Sequence, residues 1–81
     1  MSNSEIEDFS EEVLNIVSRN VIKYRKQKGY SQMKLALEIG MNGGAYLGRA
    51  ELRKNNQHFN LIHLAKISKA LDIDIKKFFD E

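Results

Sequence analysis

The stretch from Ser31 to Glu51, SQMKLALEIGMNGGAYLGRAE, constrains the fold of this chain more than any other part of the sequence. Leu35, Ala36 and Ile39 recur at the spacing of one face of a helix. Gly40 follows them, and glycine readily takes the left-handed conformation that ends a helix. The pattern predicts a short helix that ends at Gly40 and a tight turn into a second helix.

The second helix of this pair is predicted to have an apolar face and a polar face. Leu47 and Ala50 lie three residues apart and should point into the core, while Asn42 stands where a helix N-cap is expected. No acidic side chain occurs on the outer face before Glu51, so that face can lie against a polyanion. Its residues are Asn42, Gly43, Gly44, Ala45, Tyr46, Gly48 and Arg49.

Charge is distributed unevenly along the chain, although the net charge is only +2. Residues 1–18 carry −5, residues 19–54 carry +7, and residues 55–81 are neutral. The basic part coincides with the predicted helix pair, which favours attraction to phosphate groups over an ordinary solvated surface.

Composition excludes several classes of protein. Cysteine is absent, which excludes disulfides and thiolate metal sites and suits a reducing compartment. No apolar run approaches the roughly 20 residues that span a bilayer, and the acidic start lacks the basic region of a secretion signal. We therefore expect one soluble, cytoplasmic domain that does not enter a membrane.

The sequence does not predict an enzyme or a metal site. It has no paired carboxylates in a plausible cleft and no nucleophile elbow, and no predicted strand precedes the glycines of residues 40–48 as a phosphate loop requires. His58 and His63 are five residues apart without a third ligand, so zinc is not predicted. We expect no cofactor.

A long amphipathic helix is predicted from about Ser10 to Lys28, because apolar residues recur there at spacings of three and four. Ser4 and Glu7 have the form of a capping box, which is an alternative start. Gly29 should end the helix. Residues 1–9 are then an N-terminal extension, which either packs on its own domain or forms a dimer contact.

Two further helices are predicted toward the C-terminus. Phe59 should enter the core, and Asn60 should cap a helix from Leu61 to Leu71. Asp74 should cap a last short helix from Ile75 to Phe79. The buried stripe of the longer helix is predicted to comprise Leu64, Ala65, Ile67 (or Ser68) and Leu71.

Together these features resemble the phage repressor and Cro-like helix-turn-helix family, also called the xenobiotic response element family of bacterial regulators. The resemblance covers about three quarters of the chain, with one residue inserted near Gly43-Gly44 relative to the family. It implies an all-α, compact five-helix lambda-repressor-like DNA-binding domain over residues 10–81, with a lengthened N-terminal helix. The matching residues are Val21-Ile22-Lys23-Tyr24-Arg25, Gly29-Tyr30-Ser31-Gln32, Leu35-Ala36, Gly40, Leu61, Leu64, Ala65, Ile67, Ala70-Leu71, Ile73 and the segment from Asp74 to Phe79.

The resemblance implies contacts with the DNA backbone. Gln32 resembles the family glutamine whose amide bonds to a phosphate and braces the recognition helix, and Lys34 points outward nearby. The polar loop predicted over residues 52–60 resembles the one that touches the backbone beside the recognition helix, here with Arg53, Lys54 and Asn55. For each of these residues, an ordinary solvated side chain is the alternative.

Three side chains of the recognition helix have chemistry that reads bases. Arginine can pair with a guanine edge, asparagine with an adenine edge, and tyrosine can stack or touch a thymine methyl group. For Asn42, Tyr46 and Arg49 the alternatives are a helix cap, partial core and surface charge respectively. Gly43 and Gly44 permit close approach of the backbone to DNA.

The resemblance also implies two structural roles. Arg25 and Glu51 resemble an internal ion pair of the family scaffold. The apolar residues of the closing segment resemble a dimer interface, with core packing as the alternative for Phe78 at least. They are Ile73, Ile75, Phe78 and Phe79.

We therefore expect a sequence-specific, double-stranded-DNA-binding transcriptional regulator that acts as a homodimer on a two-fold operator. It is similar to the controller proteins of restriction-modification systems and to small phage repressors, and its further partner would be RNA polymerase or another regulatory protein. The competing hypothesis is a protein-interaction module, such as an antitoxin-like partner, that retains the helix-turn-helix fold.

Overall fold

The computed structural model of the chain describes residues 2–81, and every regular element in that range is helical. Four α-helices and two short 3-10 segments follow one another, so the prediction of an all-α fold is confirmed. The fifth predicted helix is a 3-10 segment rather than an α-helix. The α-helices are α1 (Asn3–Gln27), α2 (Gln32–Glu38), α3 (Ala45–Leu52) and α4 (Leu61–Leu71), and the 3-10 segments are Lys54–Asn56 and Ile75–Phe79.

Helix α1 begins earlier than the sequence predicted. Its N-cap is Ser2, whose hydroxyl oxygen accepts a hydrogen bond from the Glu5 backbone amide at 3.2 Å. The predicted starts at Ser4 and Ser10 are therefore wrong, and Ser10 lies inside the helix, where its hydroxyl donates to the Ile6 carbonyl. The end is as predicted, because Gly29 follows the helix with a φ of 79°.

The turn between α2 and α3 has the predicted beginning and a different end. Ser31 caps α2 by accepting from the Lys34 amide, and Gly40 takes a φ of 86° as the helix ends. The Asn42 side chain caps nothing, because α3 begins at Ala45 with no side-chain cap. Asn42 instead stands exposed in the turn.

One apolar core joins all four α-helices. Leu47 and Ala50 are fully buried, so the predicted inward face of α3 is confirmed. The buried face of α4 is narrower than predicted, since Ala65 is exposed. The core comprises Val17, Val21, Leu35, Ile39, Leu47, Ala50, Phe59, Leu64, Ile67, Leu71 and Phe78.

The C-terminal segment packs on α1. Asp74 accepts from the Lys76 amide as the predicted cap, and the Phe78 ring is fully buried with its edge toward Tyr24 at a centroid distance of 6.3 Å. Assignment of Phe78 to a dimer interface is therefore wrong, because its ring fills the core of its own chain. Ile73 and Ile75 are also half-buried against this core, and Phe79 alone of the four stays largely exposed.

The N-cap of α4 is the predicted one, since the Asn60 side chain accepts a hydrogen bond from the His63 amide at 2.7 Å.

Across residues 2–81, no helix has the length and apolar composition needed to cross a membrane.

Candidate nucleic-acid interface

A buried ion pair fixes α3 against α1. Arg25 donates from Nε to Glu51 Oε2 at 2.6 Å and from Nη2 to Glu51 Oε1 at 2.9 Å, and its Nη1 donates to the Tyr30 carbonyl. Two parallel bonds from a planar guanidinium define orientation as well as distance. This pair has the partners that the resemblance implied, and it holds the last turn of α3 in place.

Gln32 ties the start of α2 to the same carboxylate. Its Nε2 donates to Glu51 Oε1 at 2.9 Å, so this amide is already bonded inside the chain. The Gln32 side chain is nevertheless only half-buried at the surface between α2 and α3. The bracing role that the resemblance implies therefore has a geometric basis, and its contact with phosphate stays a prediction.

Two glycines let α3 approach α2 closely. A Cβ atom on Gly44 would lie 3.3 Å from the Met33 backbone nitrogen, and one on Gly48 would lie 3.2 Å from Gln32 Oε1. The absent side chain of Gly44 therefore serves helix packing, whereas the sequence predicted only a close approach of this residue to DNA. A Cβ on Gly43 would meet nothing within 4 Å.

An open groove of about 500 Å³ lies between the first turn of α2 and the outer side of α3. Arg49 is exposed at this groove, and its guanidinium makes no hydrogen bond or ion pair with any residue of 2–81. Ala45, Arg49 and Leu52 follow one another at helical spacing along α3. We call the groove the α2–α3 face; its lining residues are Gln32, Met33, Gly44, Ala45, Gly48, Arg49, Leu52 and Lys54.

Met33 and Leu52 are apolar residues of the α2–α3 face, and the sequence pattern did not predict either of them as part of a site. Their side chains are 52% and 64% exposed, although each is large and hydrophobic. The signal for Leu52 was its position seven residues after Ala45 and three after Arg49, which continues one helical face. The sequence pattern instead predicts a loop at Leu52, because the predicted helix ends one residue earlier than α3 does.

Tyr46 is less accessible than predicted. Its hydroxyl donates to the His58 carbonyl, and its ring packs edge-on against Phe59 and tilted against His63. Burial raises the pKa of the Tyr46 hydroxyl, so it stays a neutral donor. The alternative of partial core therefore describes this residue, and Tyr46 is not the free side chain that the pattern predicted.

Arg53 is also committed to its own chain. Its Nε donates to the Gln57 carbonyl, while Nη1 and Nη2 donate to Asn15 Oδ1 and Glu11 Oε2 at 3.0 and 2.9 Å. The predicted contact of Arg53 with the DNA backbone has no support in this geometry, because three acceptors of the chain already surround its guanidinium. Arg53 joins the loop to α1 instead.

With Arg53 bonded within the chain, three exposed cations lie on or near the α2–α3 face. Lys54 is exposed in its 3-10 segment next to Asn55, and Arg49 is exposed on α3. Lys34 lies 3.5 Å from the Glu38 carboxylate and 4.9 Å from the centre of the Tyr30 ring, but it is also exposed. The face therefore combines positive charge with small and apolar side chains.

No protein-family model and no curated protein sequence matches this chain. Among residues 2–81, no three His, Cys, Asp or Glu side chains are grouped as metal ligands.

The surroundings of His63, which packs against Tyr46 of α3, are expected to make stability depend on pH. Its Nδ1 is buried and has no hydrogen-bond partner within residues 2–81, and burial followed by the charge of Lys66 lowers the pKa below the ordinary value of 6.5. The unfolded chain then binds the proton more tightly than the folded chain. We expect the free energy of unfolding to fall as the pH drops from about 7.5 to 5.5.

Denaturant titrations across this pH range test the role of His63. The loss of stability at low pH should shrink in His63→Gln and persist in the matched control His58→Gln, whose side chain is exposed. An unchanged pH dependence in His63→Gln would assign the effect to other groups.

Proposed function

We propose that this chain is a cytoplasmic, sequence-specific, double-stranded-DNA-binding transcriptional regulator that acts as a homodimer on a two-fold operator. In this proposal the all-helical domain is lambda-repressor-like, and the 3-10 segment Ile75–Phe79 takes the place of the fifth helix. Helix α3 is the recognition helix, and α2 lies across the DNA backbone.

The exposed, unpaired guanidinium of Arg49 on the α2–α3 face is the observation that supports this proposal most. A guanidinium can donate two parallel hydrogen bonds to the O6 and N7 atoms of guanine, which is the commonest base-specific contact. Glu51 follows two residues later, but it is buried and neutralised by Arg25. No unpaired carboxylate of α3 therefore opposes an approaching phosphate.

The dimensions of α3 suit a DNA groove. An α-helix with its side chains is about 10–12 Å in diameter, and the major groove of B-DNA is about 12 Å wide, so the groove admits the exposed side of α3. The groove edge would meet Ala45 and Leu52 on either side of Arg49, and alkyl groups at these positions suit thymine methyl groups. Lys34 and Lys54 are placed to attract phosphates beside it.

Selection of bound duplexes from a random pool, followed by affinity measurements on the selected and random duplexes, tests the proposal. Arg49→Ala should weaken binding to the selected duplex about 10- to 100-fold and change binding to random duplex much less. Lys69→Ala, which removes an exposed cation from α4, is the matched control and should change neither. Equal losses on both duplexes would assign Arg49 to a phosphate contact. A selection that enriches no sequence would contradict specific recognition.

Lys54 is predicted to contact phosphate rather than a base. Lys54→Ala should weaken binding to all duplexes to a similar extent and reduce the slope of log affinity against log salt by about 0.9. The control Lys77→Ala removes an exposed cation from the C-terminal segment and should leave the slope unchanged. A loss confined to the selected duplex would instead place Lys54 at a base edge.

A protein-interaction module is the second candidate, and the exposed N-terminal part of α1 favours it. Ile6 and Phe9 are 49% and 63% exposed there, among acidic neighbours. Such a module would show no salt-dependent binding to random duplex, whereas the proposed regulator would lose affinity steeply as salt rises.

A further inference from the structure

The N-terminal half of α1 extends beyond the core. The helix has 25 residues, which correspond to about 37 Å, and the longest dimension of the molecule is 40 Å. Every residue from 2 to 12 is exposed. Glu11 is bonded to Arg53, but the core begins one turn later, so the first turns of α1 leave their apolar side chains uncovered.

These uncovered side chains belong to a regular stripe. Ile6, Phe9, Val13 and Ile16 are separated by three, four and three residues, which is the spacing of the seam of a two-helix coiled coil. Val13 is half-buried and Ile16 is buried, whereas Ile6 and Phe9 lie open to solvent. The chain itself covers the C-terminal part of this stripe, where Asn20 is bonded to the C-terminal segment, so the part left open for a second helix is that of Ile6 and Phe9.

Charges along one edge of the stripe indicate that the second helix is another copy of α1. Glu5, Glu12, Arg19 and Lys26 are seven residues apart, so they lie in one line along α1. All four are exposed, and none forms an ion pair within residues 2–81. The acids come first and the bases last, so an antiparallel copy of the same helix places opposite charges together. Glu5 then meets the partner's Lys26, and Glu12 meets the partner's Arg19.

The same register brings two exposed aromatic residues to one level. With charges paired in this way, the seam position of Phe9 lies opposite Asn20 of the other copy. The Asn20 amide donates to the carbonyls of Phe78 and Asp80 at 2.9 and 2.6 Å, which holds the backbone of Phe79 against α1 at that level. The Phe79 side chain is 46% exposed.

We infer that two copies of this chain associate through antiparallel pairing of their α1 helices, with Ile6 and Phe9 of each copy packed beside Phe79 of the other. The charge pairs from Glu5 to Lys26 and from Glu12 to Arg19 set the register. This interface supplies the homodimer of the proposed function, but it forms without DNA and is tested without DNA.

Charge reversal in the full-length chain tests the pairing. Sedimentation equilibrium should give twice the 9.4 kDa chain mass for the unaltered protein at high micromolar concentration. Glu5→Lys with Glu12→Arg, and separately Arg19→Glu with Lys26→Glu, should each weaken dimerisation by about 100-fold or more, because like charges then face each other. An equimolar mixture of the two variants should recover the dimer mass as a heterodimer.

Each other outcome overturns the inference. An unaltered chain that stays monomeric, a reversed variant that stays dimeric, or a mixture that stays monomeric is incompatible with this register. Circular dichroism of each variant shows whether α1 remains helical, and recovery in the mixture is itself inconsistent with misfolded partners.

Phe9→Ser gives a second test that leaves all charges in place. It should weaken dimerisation at least about tenfold through loss of buried apolar area. Leu61→Ser, which removes a side chain that is 71% exposed on α4, is the matched control and should leave the mass dimeric. Equal effects of the two substitutions would contradict the α1 interface.

Failure of this inference can be separated from failure of the proposed function. If the α1 variants are monomeric but still bind a single half-site duplex, the interface and the DNA-binding role both stand. If neither the unaltered chain nor any variant binds a duplex, and the charge-reversal results are as expected, the dimer stands and the DNA-binding role fails.

Discussion

Replacing Glu51 with glutamine should lower the free energy of unfolding by about 3–5 kcal/mol. The carboxylate side chain is 1% exposed and accepts bonds from both Arg25 and Gln32. The substitution replaces the negative carboxylate by a neutral amide, so the Arg25 guanidinium stays buried without an anion. Because domains of this kind have a total stability of about 5–15 kcal/mol, the loss is a large share of it.

Chemical denaturation of the Glu51→Gln variant measures this effect. Glu7→Gln is the matched control, since Glu7 is exposed and forms no ion pair within residues 2–81, and its change should stay within about 0.5 kcal/mol. The double substitution Arg25→Leu and Glu51→Leu should be less destabilising than the sum of the single ones, because it leaves no buried charge alone. A Glu51→Gln protein as stable as the control would contradict the structural role of the pair.

Replacing Phe78 with alanine should cost about 3–5 kcal/mol of stability and lower the Tm by more than about 10 °C. The ring is fully buried, its edge faces Tyr24, and the surrounding α1 and α4 helices leave a cavity when it is removed. The effect should appear as unfolding of the monomer rather than as a specific loss of dimer mass.

Phe79→Ala is the control for Phe78→Ala, since the two residues are adjacent and differ in exposure. It should change the Tm little, because its ring is 46% exposed, but it should weaken dimerisation. The opposite pattern, with Phe79 required for stability and Phe78 dispensable, would show that the Phe79 ring, and not the Phe78 ring, fills the core.

The helix pair at the centre of the fold could be predicted from local sequence. Helical spacing identified the buried Leu47 and Ala50, and Gly40 has the positive φ that a helix end requires. The pairing of Arg25 with Glu51 came from resemblance, since 26 residues separate the partners and spacing alone does not connect them. The structure contains both features.

The wrong site assignments involve contacts between distant parts of the chain. Arg53 appears in the sequence as one cation of a polar loop, and nothing local indicates that Asn15 and Glu11 of α1 lie beside it. Tyr46 likewise bonds to the His58 carbonyl twelve residues later. Periodicity shows which face of a helix is polar, but it does not show which polar side chains are already occupied.

Helix ends were mispredicted where several residues could act as caps. Ser2, Ser4 and Ser10 all have hydroxyls that suit an N-cap, and the structure uses the first. Asn42 has the preferred chemistry for a cap on α3, yet that helix has its N-cap two residues later at Gly44, which packs closely against Met33. Tertiary packing therefore bears on the start of α3, whereas the first turns of α1 are exposed and their start is not explained by packing.

An NMR titration of the isotope-labelled chain with a selected duplex tests recognition by the α2–α3 face most directly. We predict that amide resonances of Gln32, Met33, Lys54 and residues 45–52 shift on binding, while those of residues 3–9 do not. Shifts confined to residues 3–9, or an α2–α3 face that is unaffected by a duplex that binds, would contradict the proposal that α3 reads DNA.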